Sequence, residues 1–205
     1  MPTKKCLAMV LAGGQGTRMA ALTTKIAKPA IPFAGGHRLI DFTLSNCYNS
    51  GLEVVGVLTP GTAFALGEQI GPEAAGPPTG CRLHILNPRS GRISRNFYAG
   101  TADAIYENQD FIDRFQPQLV LILAGDHIYK MNYNQLIAYH QGKGAAATIS
   151  VIEVPGAEAA RFGILTTGPN GEIVEFTEKP AVPPSNLASM GVYIFSWPLL
   201  KKYLK

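Results

Sequence analysis

The stretch MVLAGGQGTRM, residues 9–19, decides how the chain folds. Its apolar run passes directly into Gly13, Gly14 and Gly16 and then reaches Arg18. That is how a strand delivers its carboxyl end to a phosphate: bare glycines let backbone N–H groups approach an anion, and a guanidinium two residues later grips its oxygens. Two standard phosphate loops do not match. A dinucleotide fingerprint needs a third glycine where this chain has Met19, and the nearest downstream acid, Asp41, lies too far along and inside a helical stretch. A P-loop needs Gly-Lys-Ser/Thr, whereas Gly16 is followed by Thr17 and Arg18. The bland alternative is a tight turn with a solvated arginine. Ten residues on, AKPAIPF adds a second cation, Lys28, held extended by Pro29, and two cations after one glycine loop suit a triphosphate.

Working outward, short apolar, β-branched runs alternate with segments of helical period, the pattern of a layered α/β fold around a mostly parallel sheet. The strands are expected at CLAMVLA (6–12), EVVGVLT (53–59), RLHIL (82–86), QLVLILAG (118–125), ATISVIEV (147–154), EIVEFTE (172–178) and MGVYIFS (190–196). Helices are expected over 37–51, where Ile40, Leu44 and Cys47 share a face, and over 101–115, with Ile105, Ile112 and Phe115 as the buried stripe. A third follows at 133–144, and the chain closes on WPLLKKYLK, a further helical stretch. Residues 71–96, rich in Gly, Pro and Arg, read as loop around one short strand.

With 205 residues, 46% of them apolar, the chain has material for one sizeable core, and a single domain over 1–205 is expected. A net charge of +4 could suggest nucleic acid, but the basic residues are scattered, so a polyanionic small substrate accounts for it and no nucleic-acid partner is expected. Cys6, Cys47 and Cys81 are odd in number and contain no CxxC pair, which argues for three buried thiols rather than disulfides or zinc. The basic head and short apolar run of MPTKKCLAMVLAGG outline a signal peptide, but the run enters the glycine loop and is a first strand instead. No window has the length of a membrane helix, so a cytoplasmic protein without a membrane partner is expected.

LAGGQGTRM joined to KIAKPAIPF resembles the signature of the sugar-1-phosphate nucleotidyltransferases. The stretches IDFTLSNCYNSG, FYAGTADAIYEN, LILAGDHIYKM, VEFTEKP and LASMGVYIF extend the resemblance from Cys6 to about Phe195 and are similar to the family's branch that makes ADP-glucose. It implies a Rossmann-like α/β fold with a mostly parallel, mixed central sheet flanked by helices. It also implies ATP and glucose 1-phosphate as substrates, Mg²⁺ as cofactor and pyrophosphate as leaving product, in glycogen or starch synthesis.

Residue by residue, the resemblance makes Arg18, Lys28 and Asp126 catalytic. Arg18 would grip pyrophosphate, Lys28 the reacting phosphates and Asp126 the metal. Asp126 also has its own logic, because it follows the apolar run 118–125 and so emerges at the carboxyl end of a central strand, where open α/β sheets place ligands; a helix N-cap is the alternative. Ala12, Gly13, Gly14, Gly16 and Thr17 match the nucleotide loop, and Tyr98, Gly100 and Thr101 the base region, although Tyr98 could equally be a core aromatic. Gly163, Glu178, Lys179, Ser189 and Tyr193 match glucose 1-phosphate positions, with Lys179 on the phosphate and Glu178 on sugar hydroxyls. His127, beside Asp126, reads as structural.

The family's domain runs on to a second metal-binding aspartate and then to a left-handed β-helix that contributes to oligomer assembly. Residues 1–205 therefore correspond to a catalytic domain truncated at its C-terminus, from a protein expected to be a homo-oligomer at full length. A sister enzyme making UDP- or dTDP-glucose, and a non-catalytic nucleotide- or sugar-phosphate-binding regulatory subunit, are the competing readings.

Overall fold

The structure is a computed structural model that describes residues 6–13, 28–33, 35–59, 80–88 and 98–204. Its contacts divide the chain into two compact units, Met1–Ala147 with Ile194–Lys205, and Thr148–Tyr193.

The first unit is built on four parallel strands. β1 (Cys6–Leu11) is central, paired on one side with β4 (Val54–Leu58) and on the other with β6 (Leu119–Ala124), while β5 (Arg82–Leu86) extends the sheet beyond β4. β4 is buried along its whole length, and β1 and β6 at every position but the last, which is why they are continuous apolar runs rather than alternating ones. Between β1 and β4 come the two-residue strands β2 (Pro32–Phe33) and β3 (His37–Arg38), an antiparallel pair, and then α1 (Leu39–Asn49). Helix α1 starts two residues later than its sequence pattern suggests, because His37–Arg38 is used as a strand. Asp41 then accepts the Arg38 N–H at 2.7 Å and closes the helix start. Ile40, Leu44 and Cys47 form the expected buried face.

The single helix expected over 101–115 is two, α2 (Thr101–Glu107) and α3 (Gln109–Phe115). Asn108 breaks it: its amide turns back to donate to the Ala104 carbonyl at 2.9 Å, the competition by which Asn disrupts helix interiors. Ile105 and Ile112 are buried as expected, but Phe111 takes the interior place assigned to Phe115, which is only half-buried. Helix α4 (Tyr133–Gly142) opens on Asn132, whose side chain accepts the Asn134 N–H. Of the three thiols, Cys6 and Cys47 are buried and Cys81 only partly so.

The second unit holds β7 (Ala147–Glu153) from Thr148 on, the single-turn helix α5 (Gly156–Ala159), β8 (Gly163–Thr167), β9 (Ile173–Glu178) and β10 (Leu187–Ser196) up to Tyr193. β8 pairs antiparallel with both β9 and β10, and Ile164, Ala188 and Ala159 make its small core. β8 has no counterpart among the sequence-expected strands, and β10 starts three residues before its expected limit. The closing helix α6 (Trp197–Tyr203) belongs to the first unit, tied to α3 by Trp197 Nε1 donating to Asp113 at 2.9 Å and by Lys201 donating to the same carboxylate. The class is α/β with a mixed parallel and antiparallel sheet flanked by helices, as expected. No helix among the described residues is long and apolar enough to cross a membrane.

Candidate active site

In the first unit, the parallel register pairs Leu11 with Ala124, so the ends of β1 and β6 release their next residues side by side. Ala12 and Gly13 leave one strand, Gly125 and Asp126 the other. Ala12 is buried, its N–H donating to the Leu58 carbonyl at 2.9 Å, and the Gly125 N–H donates to the Leu11 carbonyl at 3.0 Å. A Cβ on Gly125 would stand 3.0 Å from that same carbonyl oxygen, so glycine allows this close crossing. A Cβ on Gly13 would meet nothing within 4 Å among the described residues. Gly14, Gly16, Thr17 and Arg18 lie outside the described residues.

Lys28 opens a one-turn 3₁₀ helix, Lys28–Ala30, seated by the buried Pro29 and Ala30 and by the Leu39 N–H donating to the Ile31 carbonyl. This anchoring aims the Lys28 ammonium at Asp126, Nζ to Oδ2 2.6 Å, with both side chains about one-third exposed. The first unit thus joins two of the expected catalytic residues, 98 positions apart, at the carboxyl ends of two parallel strands.

What holds the Asp126 loop was not legible beforehand. Asn46, on the buried face of α1, donates to the Tyr129 carbonyl at 2.9 Å and accepts the Met131 N–H at 3.2 Å. Thr43 donates to the Ala124 carbonyl, and Ser50 accepts the Tyr133 N–H. Tyr129 and Tyr133 share a 2.6 Å hydroxyl contact; burial pushes the Tyr129 hydroxyl up to about 12 and that of Tyr133 further still, so both stay neutral. Polar residues inside an otherwise apolar helix face, as in LSNCYNS, are the only sequence signal for this scaffold. The His127 ring lies against Tyr129.

Tyr98, Gly100 and Thr101 stand near the end of β5. The Tyr98 hydroxyl donates to the Leu86 carbonyl at 3.3 Å and accepts from Asn108, and burial pushes it up to about 12. Gly100 is extended and caps α2, Thr101 is exposed, and Asp103 accepts the Ala99 N–H at 2.7 Å.

In the second unit, three expected positions, Gly163, Glu178 and Ser189, share one sheet face. Gly163 pairs with Glu178, and Leu165 with Phe176 and Leu187. Alternation along the strands puts Gly163, Leu165, Phe176, Glu178 and Leu187 on one face, and the next residue of that parity on β10 is Ser189. Ser189 Oγ lies 3.0 Å from the Tyr193 hydroxyl and accepts the Gly191 N–H, where Gly191, at φ 68°, supplies the left-handed bend within β10. Lys179 also occupies the left-handed region, at φ 46°, its N–H donating to the Phe162 carbonyl and its ammonium 2.9 Å from Glu178 Oε1. A non-glycine residue in that conformation is a strained position fixed by its surroundings. It turns the cation back over the glutamate that precedes it.

An open parallel sheet with a cation–carboxylate pair where two neighbouring strands end defines a class: α/β proteins that bind ligands beyond the carboxyl edge of the sheet. Within that class the chain belongs to the nucleotidyl transferase family, whose model matches residues 7–205. It is 55% identical over 204 residues to a glucose-1-phosphate adenylyltransferase of Geobacillus stearothermophilus, covering 98% of this chain and 53% of that protein. Proteins of the same name from Desulforamulus reducens and Clostridioides difficile are 53% and 52% identical, over 100% and 98% of this chain and 52% and 53% of theirs. The chain thus spans about half the length of the curated relatives it matches.

Proposed function

We propose that the protein is a glucose-1-phosphate adenylyltransferase, converting ATP and glucose 1-phosphate to ADP-glucose and pyrophosphate. The observation that carries this reading is the Lys28–Asp126 pair, 2.6 Å apart where the glycine loop begins, and the name borne by relatives more than half identical fits it. A phosphate oxygen of glucose 1-phosphate forms the new bond to the α-phosphorus of ATP as the bond from that phosphorus to the bridging oxygen breaks and pyrophosphate departs. The nucleophile is already anionic, so no base is needed; the protein has to position two mutually repelling polyanions and screen them. Lys28 serves the reacting phosphates, Arg18 the pyrophosphate, and Lys179 the sugar phosphate. Glu178 accepts hydrogen bonds from the sugar hydroxyls, with Ser189 and Tyr193 as further polar contacts.

Asp126 suits Mg²⁺: it offers hard carboxylate oxygens, and magnesium is commonly held by one or two carboxylates plus substrate phosphates. Among the described residues no cluster of three or more metal-binding side chains competes with it. When bound, the ion would neutralise charge on the phosphates. A cytoplasmic setting and self-assembly of a longer form belong to the same proposal.

The test is pyrophosphate release with Mg²⁺ and glucose 1-phosphate, offering ATP, UTP, dTTP, CTP and GTP in parallel. Release with ATP is the expected result. Release with another nucleotide instead would move the protein to a sister activity, and silence with all five would overturn the catalytic reading of this chain.

A further inference from the structure

The face of the second unit that carries Gly163 and Glu178 also carries an aromatic ring to which no role has been given. Phe176 lies two residues before Glu178 on β9 and on the same side. It is 41% exposed, well above what a core phenylalanine shows. Its ring nevertheless sits in a defined place: a Cβ built on Gly163 would stand 2.7 Å from Phe176 Cζ and 2.9 Å from Glu178 Oε2. Gly163 is itself buried, so the ring and the carboxylate close side by side over its bare backbone. The other carboxylate oxygen, Oε1, is engaged by Lys179 at 2.9 Å, which fixes the orientation of the group.

An apolar ring beside a carboxylate, both exposed on one sheet face, matches a pyranose. A hexose presents equatorial hydroxyls at its edge and a patch of C–H groups on its face, and binding sites pair such ligands with apolar walls and a few convergent polar groups. We infer that Phe176 is a substrate-contacting, specificity-determining residue, its ring forming the wall against which the C–H face of the glucose unit of glucose 1-phosphate packs while Glu178 takes the hydroxyls. This rests on the proposed function, and it deepens the sugar half of that reading by adding a residue chosen for its ring.

The experiment compares the full chain with its Phe176→Leu and Phe176→Ala variants, measuring KM and kcat for glucose 1-phosphate, KM for ATP, turnover of galactose 1-phosphate, and thermal unfolding. Both variants should raise KM for glucose 1-phosphate, by about five- to tenfold, with KM for ATP within about twofold. The preference for glucose over galactose 1-phosphate should fall in Phe176→Leu even where its melting temperature equals the parent's. An active parent whose sugar preference and KM are unchanged in both variants overturns the role of Phe176 alone. A parent that turns over no sugar 1-phosphate overturns the proposed function and this inference with it.

Discussion

Lys28 Nζ and Asp126 Oδ2 lie 2.6 Å apart although 98 residues separate them in sequence. Each is about one-third exposed, so their mutual attraction is screened and contributes little to folding, at most about 1 kcal/mol. Asp126→Ala should therefore leave the melting temperature nearly unchanged while lowering kcat by about a hundredfold or more. A Tm loss of many degrees with kcat intact would reverse that assignment.

Lys179→Ala tests the proposed contact to the sugar phosphate. Its ammonium is exposed and turned over Glu178 by an unusual backbone conformation. Removing it should raise KM for glucose 1-phosphate by about tenfold or more with a smaller change in kcat. Parallel losses in kcat and KM for both Lys179→Ala and Asp126→Ala would show that the two residues do not divide the work in this way.

Gly163→Ala places a methyl group less than 3.0 Å from both Phe176 and Glu178. Relief requires the ring or the carboxylate to move, a typical overpacking cost of about 1–3 kcal/mol. Steady-state kinetics should show weaker glucose 1-phosphate binding, with ATP binding preserved; an unaltered KM for the sugar phosphate would count against a sugar site beside Phe176 and Glu178.

Asn46→Leu removes a donor to Tyr129 and an acceptor from Met131 at once, leaving backbone groups of the Asp126 loop unpaired. Denaturant unfolding should report a loss of about 1–3 kcal/mol, and kcat should drop as the Asp126 loop loosens. A variant as stable and active as the parent would mean that Thr43 and Ser50 suffice to hold the loop.

His84 packs against the rings of Phe111 and Phe115, which also contact each other. Burial first, then the charges of Arg82 and Arg114, hold its pKa below the ordinary 6.5, so the folded protein favours neutral imidazole. A lowered value means that the folded state binds fewer protons than the unfolded one. The stabilising contribution is full above pH 6.5 and is lost as pH falls through the folded pKa. Burial acts on His140 in the same direction. Fluorescence of Trp197, the single tryptophan, should show unfolding midpoints that are level above pH 6.5 and decline below it. In His84→Leu the decline should be shallower, and identical pH profiles for the two proteins would rule His84 out as a contributor.

The alternation of apolar runs and helical segments, together with the glycine loop and the motifs after it, was enough to determine the α/β class, the strands β1, β4, β5 and β6, and the identity of the polar residues at their ends. These are local properties: a strand buried on both faces must be apolar throughout, and a chain that bares its backbone to an anion needs glycine. Tertiary structure alone decided what those residues meet. Asn46 serves a loop more than 80 residues away, and Phe176 flanks Gly163 because β8 and β9 pair in one register and not its neighbour. Pairing between separate segments depends on which faces become buried together, and the pattern of one segment does not carry its register on another.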